Sequence, residues 1–389
     1  MAYVSSNANR WYVSSESSYG QIPAIAPGSR IPAVKLTAQQ QRAKSQRMDK
    51  TGSRTWQGVP PGLRLQTSFG MTSYMRDWPD PTTLPSHGPL FEAALGAPGS
   101  LWAGNTANTG STVTSIAFAT PHGLTVGQAI TSGGEIRFVT SITDPQTVVV
   151  NAPFSIAPVQ SAPIGQTATY NLAEQLPSVS IFDYWDPSTA VQRVLPGVGV
   201  DSMTVKLNGD FHQFEFKGTA QDLIDSSSFI EGQGGQPTFP AEPALDGFLY
   251  SPVPGNLGQV WLGVTPNQFF SVSEASIQIQ NNLDTRSKEF GTSLPLAVVP
   301  GNRSVSVTLQ LFSQDDAATA GLYQAARAQT PVGMMFQLGQ VPGQLLGIYL
   351  QGLVPVVPQF DDSDKRLQWK FTETQAQGTA DDEIVVAFG

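Results

Sequence analysis

The stretch that decides the fold is Ser304-Val-Ser-Val-Thr-Leu-Gln-Leu311, in which polar and aliphatic residues alternate without interruption. Ala275-Ser-Ile-Gln-Ile-Gln280 shows the same alternation upstream. Because successive side chains of a β-strand point to opposite faces, a period of two predicts a strand with one buried and one solvated face. These two segments therefore predict half-buried strands and a mainly β fold.

Further β-rich runs extend over most of the chain and are separated by turn residues. Asn208-Gly209 is the strongest turn among them, because Asn-Gly favours a two-residue hairpin. Gln39–Lys50 is polar and basic, which indicates a loop or a short surface helix. The other predicted strands are Val34–Leu36, Leu63–Phe69, Thr112–Phe118, Glu135–Ile142, Thr147–Asn151, Ser178–Tyr184, Met203–Leu207, Phe211–Lys217, Leu345–Leu353, Leu367–Phe371 and Ile384–Phe388.

Two short helices are predicted. Pro89–Gly96 has proline in the first turn and glycine at the C-cap, the positions that each residue favours. Ala317–Gln329 follows two aspartates that suit a helix start, and Pro331 ends it. Each helix therefore flanks β structure in its own half of the chain.

The composition indicates many turns and a self-associating surface. The 37 glycines and 30 prolines in 389 residues exceed their combined average share of about 12%. Charged residues are only 13%, against an average of about 25%. A surface this poor in charge favours burial against other copies, although a monomer with a neutral Ser, Thr and Gln surface also fits.

Several protein classes are disfavoured by what the sequence lacks. It contains no cysteine, which excludes disulfides and thiolate chemistry and fits a reducing compartment. No apolar run approaches the length of a membrane span. The polar start, Met1–Tyr12, predicts no secretory signal.

The net charge of −9 is unevenly distributed. Residues 1–76 contain ten basic and two acidic residues, whereas residues 77–389 contain 11 basic and 28 acidic residues. A basic segment on an acidic body suits docking onto a neighbouring copy, a solvated arm or nucleic-acid binding, and the sequence leaves these alternatives open. Under the docking interpretation, the candidates for contacts between copies are Arg42, Lys44, Arg47, Lys50, Arg54, Arg286 and Lys288.

An internal repeat relates the two halves of the chain. Lys50–Arg64 matches Glu289–Arg303 at a constant offset of 239, and the match includes the glycine pairs Gly52/Gly291 and Gly62/Gly301. Gln213–Phe216 likewise resembles Gln368–Phe371. A duplication is the simpler explanation, and the matched glycines then mark equivalent turns. The predicted organisation is an arm at 1–30, a first domain at 31–230 with a β subdomain inserted at 100–170, a linker at 231–270 and a second domain at 271–389.

The second half resembles the major tail-tube proteins of long-tailed, siphovirus-type bacteriophages. The resemblance rests on Ala275–Leu283, Phe290-Gly291 and Pro300–Leu309, and continues to Phe388. It covers about 115 residues well and the first half more weakly through the repeat. The insert, as in Thr120–Gly127, resembles β inserts of other virion proteins.

This resemblance implies a fold and a function. The family's fold is a β-sandwich with a flanking helix, and its subunits form stacked rings that conduct DNA during ejection. A duplicated chain implies three copies per ring, with pseudo-sixfold symmetry, rather than six copies. The basic docking candidates named above are then the candidates for contacts between stacked rings. The resemblance also implies a virion location after assembly in the host cytoplasm, contacts with tape-measure and tail-terminator or tip proteins, no specific DNA binding, no cofactor and no catalysis. The acidic body fits a conduit, since a basic lumen would retain DNA.

Candidate chemical residues are few. His87, His122 and His212 are far apart in sequence, and packing explains them better than catalysis. Asp361–Asp364 and Asp381–Glu383 contain enough carboxylates for calcium, but the first lacks the expected glycine and distal glutamate and a solvated turn is the simpler interpretation. The alternative functions are a tail-tip, distal-tail or decoration protein that contacts the host, and a β-sandwich enzyme with a carboxylate pair.

Overall fold

The structure is a computed structural model that describes residues 3–42, 49–55, 58, 64–207, 209–245, 247–263, 267–269, 272–363 and 365–389. The fold is mainly β, as predicted, and both predicted helices are present. Within these residues no helix is both long and apolar enough to cross a membrane.

The elements follow one another in chain order, from the first half through the insert to the second half. In residues 9–95 they are β1 Asn9–Ser15, β2 Arg30–Ile31, β3 Ala33–Arg42, β4 Leu65–Tyr74 and α1 Gly88–Leu95. In residues 100–170 they are β5 Ser100–Trp102, β6 Asn105–Thr106, β7 Ser115–Ala117, β8 Ala129–Ser132, β9 Glu135–Asp144, β10 Thr147–Val150, β11 Pro163–Ile164 and β12 Thr167–Tyr170.

The remaining elements complete the first half and form the second. They are β13 Val179–Trp185, β14 Arg193–Leu207, β15 Gln213–Ala220, β16 Ile224–Asp225, β17 Gly258–Leu262, β18 Asn267–Phe269, β19 Val272–Gln280, β20 Asp284–Thr285, β21 Val298–Val299, β22 Ser304–Phe312, α2 Ala317–Ala328, β23 Val332–Leu338, β24 Leu346–Val354, β25 Gln359–Asp361, β26 Gln368–Ala376 and β27 Val385–Phe388. Short 3-10 turns lie at Pro27–Ser29 and Gln233–Gly235.

The first half forms two antiparallel sheets that share the long strand β14. One sheet has the order β2–β1–β13–β14–β16. The other has the order β3–β4–β15–β14, in which β14 contributes its C-terminal part. A shared strand lets the two sheets close over one apolar core, because its inward side chains face both.

The second half has the same order of pairings. Its sheets are β18–β17–β23–β24–β27 and β19–β22–β26–β25. Here β24 and β25 correspond to the single strand β14, since both pair with β26 in one register from Leu353–Ala376 to Asp361–Gln368. Even the irregularities agree, because a register shift follows Val179 in β13 and Val332 in β23.

Three segments differ from their sequence-based descriptions. Within the expected arm, Asn9–Ser15 forms β1 and pairs along its whole length with β13. Within the expected linker, Gly258–Leu262 forms β17 and pairs with β23. Gln39–Arg42, expected to be loop or helix, continues β3 because its backbone pairs with β4. The alternation rule missed β1 and β17, which are short and partly buried on both faces.

The insert has its own core and also joins the second half. Its sheet β7–β10–β9–β8 encloses Phe118, Ile130 and other apolar residues. The pair β5–β12 extends the second half's sheet, because β12 also pairs with β27. Arg137 is fully buried at this contact and donates to Gln337 Oε1 at 2.9 Å and Glu135 Oε1 at 3.0 Å. The insert is therefore fixed against the second half by a polar network as well as by a sheet.

The two helices occupy different environments. Every residue of α1 from Leu90 to Leu95 is buried except Glu92, and Phe91 lies against Phe214, Phe216 and Phe388. In contrast, α2 buries one face only, on Thr319, Leu322, Ala325 and Ala326. Asp316, one of the two aspartates expected at the helix start, caps the helix by accepting the Thr319 N–H at 2.6 Å.

Candidate functional site

Eight strands of the two halves form one continuous run, which we call the long sheet. Its order is β3–β4–β15–β14–β19–β22–β26–β25, and the halves meet where β14 pairs with β19. One face of the long sheet covers the core with residues such as Phe216, Met203, Ile277 and Leu309, all of them buried. The opposite face is turned away from the core.

This outward face, called here the polar face, is made mainly of hydroxyl and amide side chains. Four basic and five acidic residues are interspersed among them, so the described part of the face is close to neutral. Its uncharged members include Thr37, Gln39, Gln66, Ser68, Thr72, Ser202, Thr204, Gln213, Ser276, Gln278, Ser304, Ser306, Thr308, Gln310, Gln359 and Gln368. Its charged members are Lys35, Lys206, Lys217, Lys370, Asp201, Glu215, Glu274, Asp361 and Glu373.

The alternation in the sequence produces this division. In β22 the valines and leucines are buried, whereas Ser304, Ser306 and Gln310 between them are partly exposed and Thr308 is exposed. Among the described residues, the aromatic side chains at the polar face, Tyr74, Phe211 and Phe312, lie near one end of it. A nearly neutral, hydrogen-bonding face of this extent offers no concentrated charge to a polyanion.

The contact between β14 and β19, called here the joint, is fully made within one chain. Six residue pairs join the strands, from Ser202–Gln280 to Leu207–Ala275. Val205 and Ile277 face each other and are both buried. Asp201, at the bulge of β14, accepts the Leu283 N–H at 2.7 Å and so fixes the end of the joint.

The long sheet has two outer strands, called here the open edges. At one end β3 pairs with β4, and at the other β25 pairs with β26; neither has a second neighbour among the described strands. Phe360 of β25 is 59% exposed, although its ring stacks on Trp369 at 5.4 Å. Unpaired strand edges bearing an exposed aromatic residue are typical of surfaces that pair with another chain.

Corresponding positions of the joint and of the β25 edge carry opposite charges. Lys206 pairs with Gln213 across β14 and β15, as Asp361 pairs with Gln368 across β25 and β26. Lys206 is bonded to Glu215 at 2.6 Å, whereas Asp361 is bonded to Lys370 at 2.5 Å. The Lys370 ammonium, with help from Ser363, holds the pKa of Asp361 well below its usual range. Asp361 therefore remains ionised at any physiological pH.

The predicted inter-ring residues that the structure describes lie in or beside two long loops at one end of the long sheet. Arg42 ends β3, and Lys50 and Arg54 are exposed in the following loop, whereas Lys44 and Arg47 lie outside the described residues. In the second half Lys288 is exposed, and Arg286 is paired with Glu289 at 2.6 Å.

The two loops touch at their bases. Arg64 donates to the Lys288 carbonyl at 2.8 Å, and the Leu65 N–H donates to the Ser293 carbonyl at 2.8 Å. The structure therefore brings the described basic candidates of both halves, Arg42, Lys50, Arg54, Arg286 and Lys288, to the same end of the sheet.

The matched glycines lie in these loops. Gly52 and Gly291 both have positive φ, +73° and +95°, a backbone conformation that favours glycine. Gly301 has no positive φ, but a side chain there would meet the Asn282 carbonyl oxygen at 2.5 Å. Gly62 lies outside the described residues.

The three histidines serve as packing residues. His87 is buried against Phe214 and hydrogen-bonds Ser73 Oγ at 2.8 Å, and burial, together with the nearby Arg76 charge, lowers its pKa to about 3. His122 accepts the Leu124 N–H at 2.9 Å and so ties a turn of the insert. His212 hydrogen-bonds the Leu257 carbonyl at 2.9 Å, and burial lowers its pKa as well.

The acidic clusters are engaged by basic side chains. Asp361 pairs with Lys370, and Arg303 pairs with both Asp381 and Glu383. Asp364 lies outside the described residues. Among the residues that the structure does describe, no group of His, Cys, Asp or Glu could hold a metal ion.

Comparison with known proteins gives one result that covers nearly the whole chain. A family model described as phage tail tube protein matches residues 6–389. No curated protein matches the chain. The match includes both halves and the insert, and it agrees with the mainly β fold and the long polar-faced sheet. The chain belongs to the phage tail tube protein family, whose members are structural proteins of the virion tail.

Proposed function

We propose that three copies of this chain close into a ring of the tail tube, and that stacked rings form the conduit through which DNA is ejected. The observation that carries the proposal is the polar face of the long sheet, which spans eight strands and is nearly neutral. In the ring this face lines the lumen, and the core, the helices and the insert lie outside it.

The chemistry of the polar face suits passage rather than binding. A protein that neutralises several phosphates gains affinity by releasing counterions, so a basic lumen would hold DNA. Here each lysine of the face lies among Gln, Ser and Thr, and five acids accompany four bases. The acidic charge of the body as a whole also fits a conduit, because it offers DNA no excess of basic groups.

A duplicated domain accounts for three copies. Both halves have the same order of strands in both sheets, the same position of the helix and the same register shift. Two equivalent domains per chain supply six quasi-equivalent positions under threefold symmetry. The proposal includes a tail of the siphovirus type. It also includes contacts of the tube with the tape-measure protein and with terminator or tip proteins, which the resemblance implies.

The size of the closed barrel is consistent with a DNA conduit. Eight strands from each of three chains give 24 strands. With a spacing of about 4.8 Å and a tilt of about 40°, the backbone diameter is roughly 48 Å. That width leaves room for duplex DNA after the inward side chains are counted. Closure also removes both open edges, which satisfies their backbone groups.

Electron microscopy of the purified chain tests this function. Tubes built of stacked rings with three chains each are the expected result. A chain that remains monomeric at high concentration under all conditions would contradict the proposal, as would rings of six complete chains. Salt titration of DNA binding is a second test, since the neutral face predicts no retention of duplex DNA at physiological ionic strength.

A further inference from the structure

We infer that the open edges bind each other between copies in one defined register. β3 of one chain pairs antiparallel with β25 of the next, with Gln39 opposite Gln359, Ala38 opposite Phe360 and Thr37 opposite Asp361. The inference rests on the proposed ring and specifies how neighbouring chains in it are joined.

The register follows from the joint inside each chain. There, Thr204 pairs with Gln278, Val205 with Ile277 and Lys206 with Ser276. The second half presents β25 at the position that β14 occupies in the first half, with Asp361 in place of Lys206.

The opposite edge is fixed in the same way. The first half presents β3 at the position of β19, since each is the outer strand of a hairpin, paired with β4 and β22 respectively. Met71 and Leu309 correspond, because they pair with the corresponding residues Phe216 and Phe371. Leu36 pairs with Met71 as Ala275 pairs with Leu309, so Leu36 corresponds to Ala275. Two residues further along, Ala38 corresponds to Ile277, and between them Thr37 corresponds to Ser276.

The apolar side chains of the two edges are complementary. In the joint, two aliphatic residues, Val205 and Ile277, fill the core side of the contact and are buried. At the open edges the large ring of Phe360 would face the methyl group of Ala38. One large and one small side chain would then fill the space that two medium-sized side chains, Val205 and Ile277, fill in the joint. Pairing would cover Phe360, now 59% exposed, and extend the stack that it forms with Trp369 and Tyr323.

The charges are complementary as well, with the opposite polarity to the joint. Across the joint Lys206 lies diagonal to Glu274, and both line one cleft. The corresponding residues of the open edges are Asp361 and Lys35, so the acid and the base have changed sides. Opposite charges across an antiparallel pair stabilise it, and like charges oppose it.

This polarity also selects the partner. Two β3 edges would bring Lys35 and Arg42 of one chain against those of another, and two β25 edges would bring Asp361 and Asp362 together. Like charges across a strand pair disfavour both homotypic contacts. Only the contact of β3 with β25 brings opposite charges together, and repeated around an axis it closes a ring in one direction.

Disulfide trapping in the full chain tests the register, and the absence of native cysteine makes the experiment clean. The test variant is Gln39→Cys/Gln359→Cys. The matched control is Thr204→Cys/Gln278→Cys, at the corresponding pair of the joint, which is directly opposed within one chain. An off-register control is Gln41→Cys/Gln359→Cys. All three are assembled into tubes, oxidised and resolved by non-reducing electrophoresis.

The test variant should form covalent dimers and trimers with no larger species, because three links close a ring. The matched control should form a disulfide within the monomer, and the off-register control should give less than a tenth of the trimer. Tubes that form normally and yield no trimer from the test variant, while the matched control oxidises, would overturn the register and leave the proposed function standing. Failure of the unmodified chain to form rings would overturn both.

Discussion

The two halves of the chain share one arrangement of strands but differ in which edge is covered. In the first half, the edge of β14 is paired in the joint and the edge of β3 is unpaired. In the second half, the edge of β19 is paired in the joint and the edge of β25 is unpaired. The corresponding positions Val205 and Phe360 therefore differ from 1% to 59% exposed. The difference indicates that a single chain is an unfinished piece of a larger sheet.

The halves differ in a second way, through their helices. The insert and β27 cover α1, whose apolar residues pack on all sides, while α2 keeps one face in solvent. His87, at the start of α1, is consequently buried without charge. The first half thus has the more enclosed core, and the second half supports the insert through Arg137.

The largest expected effect comes from breaking the contact between open edges. Lys35→Glu should abolish tubes, because the new carboxylate and Asp361 would then face each other across the contact and repel. The monomer should stay folded, since Lys35 is exposed. The double variant Lys35→Glu/Asp361→Lys should restore ring formation. The double variant also reverses the charge beside Lys370, so adding Lys370→Glu should strengthen the rescue. Negative-stain microscopy with sedimentation measures both effects, and tubes from the single variant would contradict the edge contact.

The loops should control stacking rather than ring closure. Reversing Arg42, Lys50 and Arg54 together to Glu is expected to block tube growth and leave single rings, because exposed charges direct association more than folding. A variant with Lys217→Glu, on the polar face, is the matched control and should still stack. Normal tubes from the triple variant would show that the loops do not join rings.

Removing the charge of Arg137, which is buried where the insert contacts the second half, should lower the stability of the folded chain. Arg137→Met leaves Glu135 without its buried ion-pair partner, and the expected loss is about 3–5 kcal/mol in the free energy of unfolding. Arg137→Met/Glu135→Gln should recover part of that loss, since the unpaired charge is then absent. Chemical denaturation of the unassembled chain measures the difference. Equal losses in both variants would mean that packing alone fixes the insert.

Truncation at matched positions separates the joint from the open edge. Val205→Ala should destabilise the unassembled chain by about 1–3 kcal/mol, because it removes buried apolar atoms. Phe360→Ala should change the unassembled chain by less than about 1 kcal/mol but raise the concentration needed for assembly. Denaturation and light scattering measure the two quantities. An equal loss of monomer stability from both variants would remove the distinction between the two edges.

The enclosed core of the first half predicts a dependence on pH. The pKa of His87 is about 3 in the folded chain, and an unfolded histidine has a pKa of about 6.5. The unfolded chain therefore binds one more proton between these values, so stability falls as pH drops below about 6.5, by up to about 1.4 kcal/mol per unit. His212 adds to the slope in the same direction.

Denaturation midpoints between about pH 6.5 and 5 test this dependence. That window avoids the carboxylates with lowered pKa values, whose contribution to stability is lost only below about pH 5. His87→Gln should reduce the slope of the free energy of unfolding against pH by the contribution of one proton. An unchanged slope would mean that His87 does not remain neutral in the folded chain.

Much of the strand content was predictable, because alternation in β19 and β22 results directly from one solvated and one buried face. Both helices were predictable for a similar local reason, from the proline and glycine that bound α1 and the acids that precede α2. β1 and β17 were missed because partial burial on both faces removes alternation. Their Trp-Tyr-Val and Val-Trp-Leu runs carry strong β propensity, a signal that would have located them.

The joint could not be predicted, since the pairing of β14 with β19 depends on how distant parts of the chain pack together rather than on local sequence. For the same reason Asp361 was interpreted as a solvated turn, and Lys35 was not singled out. Their importance follows from comparison with Lys206 and Glu274, which become corresponding residues only after the sheet order is known. The neutral polar face likewise depends on which strands are neighbours.

A cryo-electron microscopy reconstruction of the assembled tube tests the central claim most directly. We predict three chains per ring and a lumen lined by 24 strands, eight from the long sheet of each chain, with Gln39 and Gln359 of neighbouring chains directly opposed. The insert should lie outside the wall and occur three times per ring. Six chains per ring, or a lumen lined by any surface other than the polar face, would contradict the account.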